Sequence, residues 1–92
     1  MPTFSNTKLD IDVDIVKLKM IHAVKYWEKL DQYKDASGPA QWNGVLQAAK
    51  SAGWFMDESL NPMDLTPAQA RWLAEEIAAH LLEQSTISDP EV

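Results

Sequence analysis

Two histidines, His22 and His80, are the only side chains here whose ordinary pKa places proton transfer near neutral pH. His80 follows Glu76 by four residues and precedes Glu83 by three, so on a helix the three side chains share one face. Such a trio could relay a proton or offer ligands to a metal. A metal site would need a further ligand from another segment, and Glu-x-x-x-His pairs are common on helical surfaces. Local pairing at solvent is the expectation for His80. His22 falls near Leu18 and Tyr26 on a helix wheel, which suits a structural or interface residue better than a catalytic one.

The rest of the catalytic vocabulary is thin. There is no cysteine, which removes disulfides, thiolate ligands and Cys nucleophiles. Gly38, Gly44 and Gly53 are too scattered to build a phosphate-cradling loop. No nucleophile elbow or Ser-His-Asp order can be drawn. Glu75 and Glu76 are adjacent and point to different parts of a helix surface, whereas general acid-base chemistry needs groups converging in a pocket. The expectation is a protein that is not an enzyme and holds no cofactor or metal.

Charge is more informative. The net charge of −6 is unevenly placed. Up to Met56, seven Lys stand against six acids, giving +1; from Asp57 onward, eight acids stand against Arg71 alone, giving −7. This asymmetry can steer association between copies or with a basic partner, besides keeping the protein soluble. Lysines interleaved with tyrosines can bind nucleic acid through phosphate contacts and stacking. A pI near 4.6 and scattered lysines argue against direct nucleic-acid binding here.

The elements that must position these residues read as helices. From Leu65 to Gln84 the chain carries Thr66, Pro67 and Gln69 in capping-box order, followed by a run without Gly or interior Pro. A second helix is predicted from Pro39 to Ser51, with Gly53 just past its end and Gly44 weakening it by about 1 kcal/mol relative to Ala. Val13, Val16, Met20, Ala23, Trp27 and Leu30 recur at helical steps, with Val24 widening the stripe, predicting a long first helix from about Asp14 to Lys34 capped by Asp12 or Asp14. Ahead of it, Leu9, Ile11, Val13 and Ile15 alternate with aspartates. That alternation reads as an extended lead-in in preference to a short β-strand, because a lone strand would need an edge to pair with, such as a partner chain supplies. The connection from Gly53 to Leu65 is apolar for a loop, so its Trp54-Phe55 pair is expected to plug the core.

The fold class expected is all-α: a small three-helix domain over residues 8–84, with flexible ends at 1–7 and 85–92, the latter a mobile acidic tail. Its predicted core is Val16, Met20, Trp27, Leu30, Leu46, Trp54, Leu73, Ile77 and Leu81. No segment is apolar for the length of a membrane span and no signal peptide is evident, which points to a cytoplasmic protein that does not engage membranes.

A helix apolar on two sides is buried on two sides. Opposite the Trp27 stripe the first helix carries Leu18, Ile21, His22, Lys25, Tyr26, Lys29 and Tyr33, which are therefore assigned to a partner. The function expected is a non-catalytic protein-protein interaction module, a homodimer or small oligomer formed through that helix. The alternative is an acidic decoy or inhibitor that sets Glu75, Glu76 and Glu83 of the last helix against a basic, nucleic-acid-binding protein surface.

Overall fold

The computed structural model describes residues 3–85. Its elements are strands β1 (Thr3–Asn6) and β2 (Ile11–Asp14), helix α1 (Met20–Leu30), a 3-10 turn (Asp31–Tyr33), helix α2 (Pro39–Ser51), a second 3-10 turn (Pro62–Asp64) and helix α3 (Pro67–Ser85). The fold is mostly helical and opens with a β hairpin, so the all-α expectation is corrected at its N-terminus.

The alternating aspartate segment is a strand, and its partner is in the same chain. β1 and β2 pair antiparallel with Phe4 opposite Val13 and Asn6 opposite Ile11. Ile11, Val13 and Ile15 turn into the core while Asp12 and Asp14 face solvent, as the two-residue period of a half-buried strand requires. No second chain is needed to form the sheet. The connecting turn places Asp10 at φ 53, a left-handed conformation that Asp tolerates, and Asn6 Oδ1 accepts the Leu9 N–H at 3.1 Å. Residues 3–7, expected to be a flexible end, are thus part of the fold, and Phe4 is buried. The tail expected beyond Ser85 lies outside the described residues.

α1 is shorter than its apolar period suggests. The backbone of residues 14–16 is already engaged: Ile15 bridges Phe55, the Val16 N–H donates to the Trp54 carbonyl at 2.8 Å, and the Met56 N–H donates to the Asp14 carbonyl at 3.0 Å. Donors and acceptors spent on this extended ladder cannot also close helical turns. The helix begins only at Met20, with Lys19 and not Asp12 or Asp14 as its N-cap, and the His22 imidazole Nδ1 accepts the Lys19 N–H at 2.9 Å.

The other two helices start and stop where their capping residues place them. Gly38 (φ 59) precedes Pro39, and Gly53 (φ 80) follows the C-terminus of α2. At α3 the Gln69 N–H donates to Thr66 Oγ1 (3.1 Å) and the Thr66 N–H donates to Gln69 Oε1 (3.0 Å), the reciprocal pair of a capping box. Gln69 Nε2 also donates to the Leu9 carbonyl at 2.7 Å, tying the hairpin turn to this helix start. α2 packs on both α1 and α3.

The core gathers Ile15, Leu46, Trp54, Leu73 and Ile77, with Phe4, Tyr26, Phe55 and Leu81 around them. Two of the expected core residues are not in it: Met20 is 78% exposed and Trp27 60% exposed. Val16 and Leu30 are half-buried.

Gly44 has a role that its helix penalty does not suggest. A Cβ at this position would stand 2.7 Å from both Cβ and Cγ of Tyr33, so the missing side chain is where the 3-10 turn after α1 seats on α2. Gly44→Ala is expected to destabilise the protein despite a helix-propensity gain of about 1 kcal/mol, because overpacking costs about 1–3 kcal/mol. Urea unfolding checks the sign. Tyr33→Gly with Gly44→Ala should recover part of the loss, since both Tyr33 atoms that the new Cβ meets are then gone.

Candidate functional site

The orientation of α1 decides what the molecule offers to others. Tyr26 is 2% exposed and its ring lies against Trp54 at 4.9 Å between centroids, tilted by 32°. Trp54 Nε1–H donates to the His22 carbonyl at 3.1 Å, fixing the same side of the helix to the core from a second point. α1 therefore faces inward with Tyr26, Ala23 and Leu30.

This divides the residues assigned to a partner. Tyr26 is a core residue, a correction to its partner-facing assignment. Leu18 packs partly against the core. Tyr33 is half-buried over Gly44, and His22 is half-buried with its Nδ1 and its carbonyl both occupied. Ile21 and Lys25 remain exposed and Lys29 is half-buried. The reversal has a simple source. A stripe counted from Val13 presumes continuous helix through residues 14–19, whereas the extended ladder there leaves Trp54 to select which side of α1 turns inward.

The outward side carries the apolar row that the period had placed inside. Met20, Val24 and Trp27 stand at i, i+4 and i+7, one above the other along the helix, with Ile21 beside them. Val24 is 39% and Ile21 53% exposed. Trp27 is buttressed from behind by Tyr26, whose ring meets it edge-on at 5.9 Å and 76°. Beyond Trp27 the surface dips into a groove of about 320 Å3 between the end of α1, the 3-10 turn and α2, lined by Trp27, Leu30, Tyr33, Ala36 and Val45 among others. Row and groove meet at Trp27, and Asp31, Lys34 and Gln41 complete the groove's lining beside its apolar residues. Clusters of large apolar side chains on a small folded domain mark interaction sites far more often than isolated exposed residues do.

The segment around α1 and the helix α3 differ in charge. Lys17 and Lys19 precede α1, Lys25 and Lys29 lie on it and Lys34 follows, against Glu28 and Asp31; five lysines less two acids make residues 17–34 net +3. On α3, Glu75 and Glu83 are exposed and Glu76 half-buried. Arg71 Nε donates to Glu75 Oε1 at 3.1 Å, and the same guanidinium sits 5.9 Å from the Trp42 ring centroid. Glu75 is thus partly neutralised on its own helix, so the three glutamates do not form an unbroken acidic row.

His80 lies edge-on against Phe4 at 5.4 Å and 81°, holding the hairpin to α3. No group of three or more potential metal-ligating His, Asp or Glu side chains occurs among the described residues. Nor is any described helix long and apolar enough to cross a membrane. Comparison with protein-family models, with curated proteins and with solved structures finds no match to this chain.

Proposed function

We propose that this chain is a non-catalytic interaction module that associates with a second copy of itself through the outward face of α1. The observation that carries the reading is the exposed row Met20, Val24 and Trp27, rooted on Tyr26 and continuous with the groove beyond it. A side chain such as these gains about 1.5–3 kcal/mol on full burial, in proportion to the area still exposed. Association forfeits about 4 kcal/mol or more of translational and rotational freedom. The surplus is small, so the expected complex is weak and dependent on concentration. A second copy suits the face because the charges along it are mixed, with Glu28 and Asp31 one turn beyond Val24 and Trp27 and Lys25 to the side, so that like charge does not hold two copies apart.

Sedimentation velocity over a wide concentration range tests this directly. The wild type should move from monomer toward larger species as concentration rises. Val24→Glu, which puts a charge in the middle of the row without touching the core, should hold it at the monomer with unchanged helical circular dichroism. A wild type that stays monomeric throughout, or a Val24→Glu variant that associates equally well, would refute the reading.

A further inference from the structure

The start of α1 is closed from within the helix. Lys19 stands at the N-cap, where its side chain has no acceptor to offer the free N–H groups of the first turn, and no acid occurs in that turn. The side-chain bond at this end comes instead from His22, whose Nδ1 accepts the Lys19 N–H at 2.9 Å. Around it the His22 and Ala23 N–H groups donate to the Lys19 carbonyl at 3.0 and 3.3 Å, and the His22 carbonyl takes the Trp54 indole N–H. One half-buried imidazole thus joins the extended lead-in to the helix.

An acceptor at Nδ1 fixes the tautomer: the ring is neutral and its proton sits on Nε2. Protonation makes both nitrogens donors, so in no orientation can the ring then accept from Lys19. It also sets a positive charge at the positive end of the helix dipole. The charges nearby do not offset this. The lead-in carries Asp14, Lys17 and Lys19, and α1 itself Lys25, Glu28 and Lys29. Asp14 is engaged by the Thr3 hydroxyl. Lys50 is the one ionisable side chain of α2, and Asp31 and Tyr33 lie beyond the other end of α1. In the connection after α2, Asp57 is held by Ser59 and Glu58 lines a groove with Lys50. The α3 residues in the groove beside the start of α1 are Leu81, Gln84 and Ser85, none of them ionisable. No carboxylate pairs with the His22 ring among the described residues.

We infer that His22 is a pH-operated latch on α1. Neutral, it closes the first turn against the lead-in; protonated, it releases the Lys19 N–H and the turn opens. Acid therefore favours the open turn and mild alkali the closed one. Histidine is the side chain that changes charge between about pH 5 and 8, which puts the latch near neutrality. This goes beyond the self-association reading and does not depend on it.

Nitrogen-15 NMR of the wild type from about pH 8 to about pH 5 tests the latch. At the upper end the His22 imidazole should be the Nε2–H tautomer. As it takes up a proton, the protection of the Lys19 and Ala23 amides against hydrogen exchange should fall in step, by about five-fold, the size that loss of a typical cap bond implies. In His22→Gln the new side chain can accept the same N–H, as glutamine does at this position of a capping box, and it does not titrate. Protection there should hold to the acid end of the range, although His80, against Phe4, still takes up its proton. An Nδ1–H tautomer at the upper end, amide protection that stays constant while His22 titrates, or an equal acid loss in His22→Gln would each overturn the latch. The tautomer and the wild-type titration decide it without any variant.

Discussion

Trp54→Ala is expected to remove about 3–5 kcal/mol of stability, the usual cost of emptying a fully buried aromatic site. Against a total of about 5–15 kcal/mol for a domain, that leaves a protein at the edge of folding. The size follows from what Trp54 holds together. Its indole is wholly buried, its Nε1–H ties it to the His22 carbonyl, its face supports Tyr26, and its own carbonyl accepts the Val16 N–H. It therefore joins α1, α2 and the strand that leads out of the hairpin. Trp54→Phe retains much of the volume and loses the indole hydrogen bond, so it should cost less, about 1–2 kcal/mol. Thermal or urea unfolding of both variants checks the order. Equal losses would mean that the hydrogen bond, and not the packing, carries the joint.

Raising the pH should weaken the fold well above neutrality, through Tyr26. Burial pushes its phenol up to about 12 from an ordinary value near 10. The folded protein thus keeps its proton in a window where the unfolded chain has already lost it. Unfolding then releases a proton, so stability falls as pH rises from about 10 toward 12 and is intact below that range. Two pKa units correspond to roughly 3 kcal/mol across the window. A tyrosinate absorbance titration should show Tyr26 ionising near 12 or together with unfolding. In Tyr26→Phe the alkaline loss of stability should be largely absent. A Tyr26 that ionises near the ordinary tyrosine value of 10 in folded protein would place its ring outside the core.

How much of this was legible in the sequence follows the reach of each signal. The bounds of α2 and the capping box of α3 depend on residues within one turn of each helix end, and Gly38-Pro39, Gly53 and Thr66-Pro67 announce them locally. The plug formed by Trp54 and Phe55 was legible because an adjacent aromatic pair in a short connection has more apolar area to hide than its neighbours, two of which, Met56 and Met63, stay exposed. The hairpin was not, since Thr3–Asn6 offers a single apolar residue, Phe4, and pairing is specified by β2 across the turn. The face of α1 was misread for the same reason. Both of its sides are apolar, and the choice between Tyr26 and Trp27 is made by Trp54, which lies 27 or more residues away in the chain. Gly44 read as a weak point in α2 because only the folded chain brings Tyr33 over it.

The candidate site was half legible. α1 was correctly singled out as a helix with more apolar surface than one side can bury, and Ile21 and Lys25 lie on its exposed side. Met20, Val24 and Trp27 were assigned inward because their period matched a core stripe, and period alone carries no sign. The charge asymmetry was plain from counting.

The most direct test of the account is fluorine NMR of the protein carrying 5-fluorotryptophan at its four tryptophans, with the Trp27 resonance assigned by Trp27→Phe. In dilute protein the Trp27 signal should show a clear solvent isotope shift between water and heavy water, while the Trp54 signal shows none. As concentration rises the Trp27 shift should shrink in step with the growth in mass. A Trp27 signal indifferent to solvent at every dilution would turn α1 the other way round, and one that stays solvent-sensitive at every concentration would leave its outward face without a partner copy.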